Sequence, residues 1–172
     1  FDSLARGPVL PAPGIPSAVT DAGMLPADMW FTALTKGVAE VMFADSVIVG
    51  ILFLIGIAIV SLRGALMAAA GTLVGIGASL LLGASQGAIE MGLYSFNPVL
   101  TMMAVGWVFL KPTGRSAMLA VLAGILTVVC QAGLASFLAP LGLPTLTFPF
   151  VLVMWMFLFA AGKSKYWSGS NA

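Results

Sequence analysis

Side chains able to do chemistry are few in this chain, and they stand at interruptions. Histidine is absent and cysteine occurs once. The commonest metal ligand and the commonest general base near neutral pH are therefore missing. Cys130 lies in an apolar run and reads as a packing residue, so no disulfide framework and no Cys-rich metal site is expected. Neither a metal nor a cofactor is expected. The polar positions that stand out are Glu40, Asn97 and Thr147, each beside an apolar run where a helix should break. Their chemistry is hydrogen bonding. Glu40 offers a carboxylate, Thr147 offers a hydroxyl that donates and accepts, and the breaks free backbone groups.

Composition sets the surroundings. Of 172 residues, 60% are hydrophobic and 8% charged, with a mean hydropathy of +1.11. A soluble domain is about 25% charged. Thirteen charged side chains cannot coat a water-soluble surface of this size. A net charge of +1 without a basic cluster also excludes a nucleic-acid binder. The chain reads as an all-α integral membrane protein. It begins with Phe1, which suggests processing or a cut from a longer chain, and residues 1–16 contain no apolar signal segment.

The elements follow from the gaps between charges. Residues 1–30 hold Pro8, Pro11, Pro13, Pro16 and Pro26 and read as an extramembrane linker. Trp30 and Phe31 suit a membrane interface. A spanning helix needs about 20 apolar residues. The uncharged stretches then predict spans near 46–62, 65–83, 92–110, 117–138 and 147–162, the last two divided at Pro140–Pro144. Five crossings put Arg63, Lys111, Arg115, Lys163 and Lys165 at one end, and Glu90 with the Pro140–Pro144 turn at the other. The positive-inside rule makes the basic end cytoplasmic, with residues 164–172 as a cytoplasmic tail. Tyr166 and Trp167 fit the inner aromatic belt. Gly71 and Gly75, extended by Gly77 and Ala78, form a stripe suited to close helix packing in lipid.

Three segments depart from simple spans. Residues 31–45 have helical periodicity but are too short to cross. They form either an interfacial helix with Lys36 and Glu40 paired at i,i+4, or a re-entrant helix with Glu40 lining a cavity. At Asn97-Pro98, either a helix begins near Pro98 with Asn97 as its N-cap, or a discontinuous helix faces a pathway. At Pro144 to Phe150 two prolines prevent a continuous helix. Thr147 to Gly162 is about 24 Å of helix, short of the roughly 30 Å hydrocarbon layer, so the irregular backbone belongs at membrane depth. Such backbone is tolerated only within protein or along a cavity.

The three segments together resemble the urea transporter family. Pro144, Thr147, Pro149 and Phe150 form its Pro-x-x-Thr-x-Pro-Phe signature. Gly92 to Leu100 is similar to its Gly-Leu-(Tyr/Trp)-x-(Phe/Tyr)-Asn-x-x-Leu segment, and Lys36 to Phe43 resembles its short pore helix. The order agrees, and the resemblance covers residues 33–163. It implies one half of an inverted-repeat channel, with five transmembrane helices (residues 46–163) and one re-entrant half-helix (31–45). A homologous first half would complete each pore, and subunits would associate as homotrimers in the cell membrane. It further implies that Phe43 and Phe96 stack on flat urea, that Val41 and Leu100 narrow the slot, that Thr147 serves a central site and that Glu40 strengthens the acceptor field. Flux would be passive, since no histidine or paired acid offers a proton relay.

Two other functions fit the same composition. One is a channel for ammonia or another small neutral solute, although the ammonium channel family uses pore histidines. The other is a non-transporting membrane scaffold subunit, in which Phe43→Ala and Thr147→Val cost stability but not selectivity. An intramembrane enzyme is disfavoured by the lack of histidine and of a Gly-x-Ser-x-Gly elbow.

Overall fold

The computed structural model describes residues 27–162, and every regular element among them is helical. The linker up to residue 26, Lys163, Lys165, Tyr166, Trp167 and the expected tail lie outside the described residues. In chain order the helices are α1 (Ala27–Ala39), α2 (Val47–Val60), α3 (Leu62–Leu81), α4 (Gln86–Glu90), α5 (Phe96–Met103), α6 (Gly114–Leu138) and α7 (Phe148–Gly162). A 3-10 turn, Glu40–Met42, follows α1; a π turn, Ala104–Val108, prolongs α5; a second 3-10 turn, Ala139–Leu141, ends α6.

By length and apolarity, Leu62–Leu81 and Gly114–Leu141 can each cross a bilayer. A third crossing is added if the bent pair Met29–Met42 and Val47–Val60 counts as one span. Phe96–Val108 and Phe148–Ala160 are shorter apolar helices. The difference from the expected full-length spans has a local cause. Helix α5 starts only at Phe96, because residues 91–95 form turns, and α7 starts only at Phe148, after the Leu143–Thr147 break.

The two prolines mark those starts rather than the middle of a helix. Pro98 is the third residue of α5 and Pro149 the second of α7. The first backbone N–H groups of a helix have no intrahelical partner, so a missing N–H costs little there. Asn97 is consequently inside the first turn of α5. The N-cap position is Ser95, whose side chain makes no capping bond.

Close approach is built from glycine. Helix α3 runs antiparallel to α5, and a Cβ added at Gly71 would fall 2.6 Å from the Val99 Cα. At Gly75 it would fall 2.7 Å from the Ser95 Cα. Gly77, expected to extend this stripe, instead faces open space, with nothing within 4 Å of an added Cβ. It lies two residues from Gly75, on a different side of the helix. Helix α1 is drawn in the same way, with Gly37 set against Gly92 and Ser95, and Gly92 holds a positive φ of 78° that favours glycine. Ala33, Thr35, Gly37, Val38 and Ala39 are buried, so one face of α1 packs into the protein. Its chain then bends by 74° into α2.

At the end occupied by Arg63 the connections are tied by polar groups. Arg63 donates from Nε to the Gly106 carbonyl at 3.0 Å and from Nη2 to the Thr113 carbonyl at 2.7 Å. The first bond serves a π turn, where Phe109 N–H bonds back five residues to Ala104. Thr113 and Ser116 form a reciprocal capping box at the start of α6. Arg63 therefore lies at the same end as the Lys111–Arg115 connection, as the charge pattern predicts.

These contacts give a first prediction. Gly71→Ala and Gly75→Ala should each destabilise the fold by about 1–3 kcal/mol through overpacking against backbone. Gly77→Ala should be neutral or raise stability by a few tenths to about 1 kcal/mol, since nothing opposes the methyl. Thermal unfolding in detergent micelles distinguishes them, and equal losses at all three sites would contradict the packing described.

Candidate functional site

The breaks in the helices meet around one cavity of about 540 Å³, partly open to the outside. Its wall includes Glu40 and Phe43 from the end of α1, and Leu93, Tyr94 and Phe96 from the turn into α5. Gln131 and Ala135 come from α6, and Leu143, Pro144, Thr145 and Leu146 from the break before α7. Three of the six residues expected at the site, Glu40, Phe43 and Phe96, thus share one wall. Val41 instead packs beside Val38, Ala68 and Val99. Leu100 lies one turn beyond Phe96 and is half-buried, and Thr147 is a half-buried residue just before α7, outside the lining. The threonine in the wall is Thr145, whose carbonyl accepts the N–H of Phe148 at 3.2 Å.

Lys36 forms its ion pair with Asp45, at 2.7 Å, rather than with Glu40 as the interfacial reading supposed. The pairing spans the bend between α1 and α2 because the 3-10 turn carries the chain back past Lys36. Phe43 closes that turn with φ 54° and ψ 34°, and its N–H bonds to the Glu40 carbonyl. A bulky residue in this left-handed conformation is strained by about 1–2 kcal/mol. Nor does burial compensate, since Phe43 is 71% exposed whereas Phe96 is only 7% exposed.

A buried amide pair, unforeseen from the sequence, adjoins the cavity through Gln131. Asn97 donates from Nδ2 to the Gln131 Oε1 at 3.0 Å and to the Leu146 carbonyl at 2.9 Å. Gln131 in turn donates from Nε2 to the Leu93 carbonyl. One turn further along, the Thr101 and Thr127 hydroxyls meet at 2.9 Å. Thr101 also bonds to the Asn97 carbonyl, and Thr127 to that of Ala123. The pairs 97/131 and 101/127 make an antiparallel polar ladder between α5 and α6. The signal for it was present: Thr127 and Gln131 are polar at i,i+4 within the otherwise apolar stretch 117–135 of α6. Asn97 is thus a bridge between segments, not an N-cap.

Comparison with known proteins decides the family. The family described as Urea transporter matches residues 1–162. The chain belongs to the urea transporter family. Urea transporter 1 of Ovis aries is 34% identical over 132 residues, covering 77% of this chain and 34% of that protein. Urea transporter 1 of Capra hircus matches equally, and that of Mus musculus is 33% identical over the same length. The chain therefore spans about a third of the length of these curated relatives. The apolar helices fit a membrane protein.

The strained, exposed ring yields a second prediction. Phe43→Asn, a residue that tolerates the left-handed region, should leave the unfolding temperature unchanged or raise it, by up to about 1 kcal/mol of stability. A clear loss would show that Phe43 is held for packing after all.

Proposed function

We propose that this chain forms one wall of a passive channel for urea, with a homologous half completing the pore. The observation that carries this is the convergence of Glu40, Phe43 and Phe96 on one cavity at the meeting of three helix breaks. Urea is small, planar, neutral and rich in N–H donors. A slot bounded by rings accepts its flat faces, while acceptors along the edge receive its amide hydrogens. Glu40 supplies negative potential at that edge, and Thr145 and Thr147 lie on the stretch before α7. Leu100 continues the face of Phe96 by one turn, and Val41 follows Glu40, so both suit a narrowing between sites. Thr147, whose hydroxyl replaces lost water, serves a central site toward the complementary half.

Conduction requires that these contacts offset dehydration yet release the solute quickly. Several weak hydrogen bonds satisfy that better than one deep ion pair, and neutral urea forms only the former. The remaining features extend from the family resemblance: five crossings and a re-entrant helix per half, a homotrimer with a pore in each subunit, the cell membrane as location, and a cytoplasmic C-terminus.

Proteoliposomes carrying the protein at its full natural length provide the test. Urea flux should be competed by urea analogues and persist when a proton uncoupler is present. Phe43→Ala and Thr147→Val should each lower urea permeability by about three- to tenfold, the value of one stacking contact or one hydrogen bond. Loss of flux on uncoupling would exclude the passive mechanism, and unchanged permeability in both variants would favour a scaffold role.

A further inference from the structure

Two of the three breaks that shape the cavity are held by the same pair of side-chain amides. The Leu93 carbonyl, in the turn before α5, accepts from Gln131 Nε2. The Leu146 carbonyl, in the break before α7, accepts from Asn97 Nδ2 at 2.9 Å. Asn97 and Gln131 then join to each other at 3.0 Å. The polarity of this relay is fixed from both ends. A backbone carbonyl only accepts, so each amide must turn its NH2 group to its carbonyl. That leaves Gln131 Oε1 to receive the second Asn97 hydrogen, and no other arrangement satisfies all three contacts.

Leu146 is itself strained, with φ 45°, and its side chain is half exposed, so little packing holds it there. Leu93, Phe96 and Leu146 all face the cavity, and Gln131 stands in the wall between them. We infer that the Asn97–Gln131 relay is a specificity device: it fixes the separation of the turn before α5 and the break before α7, and so sets the width of the urea slot. This rests on the channel reading above. Gln131 is a positioning residue here, acting through the two backbone segments it ties together.

The relay's polarity defines the variants. Gln131→Glu keeps the length and the acceptor for Asn97, and as a carboxylate it cannot donate to Leu93, so it cuts one link. Gln131→Met keeps the volume and cuts both. The measurement is the ratio of urea to N,N′-dimethylurea permeability in proteoliposomes carrying the protein at full natural length. The ratio should fall about tenfold in Gln131→Met, the discrimination that a methyl or two commands in a shaped pocket, and less in Gln131→Glu. Gly64→Ala serves as a control: its Cβ would meet the Trp107 ring at 2.8 Å, away from the cavity, so it should reduce the yield of folded protein while leaving the ratio as in the wild type. A wild-type ratio in folded Gln131→Met, beside normal wild-type urea flux, would overturn this inference alone. Absence of urea flux through the wild type would overturn the channel reading as well. If neither Gln131 variant folds, the amides serve folding only and the inference fails too.

Discussion

Hydrocarbon does not solvate a peptide carbonyl, and each interrupted helix in an apolar chain uncovers several. The fold is organised around that constraint. Long unbroken helices such as α3 and α6 meet it within their own backbone. The breaks need outside donors, and the structure supplies them from a small stock. Arg63 serves the π turn and the start of α6, Gln131 the turn into α5, and Asn97 the break before α7. With so few polar residues, each of these side chains links separate segments of the chain. Satisfying a broken helix therefore also ties two parts of the chain together.

Glycine solves the complementary problem. Apolar surface gains nothing by leaving lipid for another helix, so association relies on close van der Waals contact. Gly71 and Gly75 bring the α3 and α5 backbones together, and Gly37 seats α1 on the turn at Gly92. These contacts place the end of α1 beside the start of α5, which is what sets Glu40 and Phe43 near Phe96. Phe43 is the exception to the logic of packing. It occupies a strained backbone position, buries little, and faces a cavity. In the proposed channel, its place follows from what passes the ring rather than from what holds it.

How much of this was legible in the sequence depended on the range of the interaction. Features set by local chemistry were readable: prolines marked the breaks, charge gaps marked the helices within a few residues, and Gly71 and Gly75 marked the close interface. Features set by three-dimensional choice were not. Gly77 looked like its neighbours and faces the other way. Lys36 had Glu40 at a suitable spacing and took Asp45 beyond the bend. Asn97 before Pro98 had the sequence of a cap, yet α5 begins one residue before it, which frees its amide to reach α6 and the break at Leu146. Thr145 and Thr147 are alike in sequence, and only the course of the turn puts the former in the wall. The family signature located the region of the cavity without distinguishing which side chains face it.

A bare buried carbonyl would be a poor element for a conducting wall, because it would bind a donor too strongly to release it. A carbonyl has two lone pairs, and one that has accepted an N–H bond keeps a second, with its desolvation already relieved. Leu93 and Leu146, both residues of the cavity wall, carry carbonyls in that condition. In the proposed channel, such half-satisfied acceptors give a passing amide a modest bond in place of water and lose little when it leaves. The interruption, the amide that stabilises it and the weak binding that conduction requires are then consequences of one arrangement. On that reading, a chain so poor in polar side chains can still add backbone acceptors to the site, and its few amides decide where they stand.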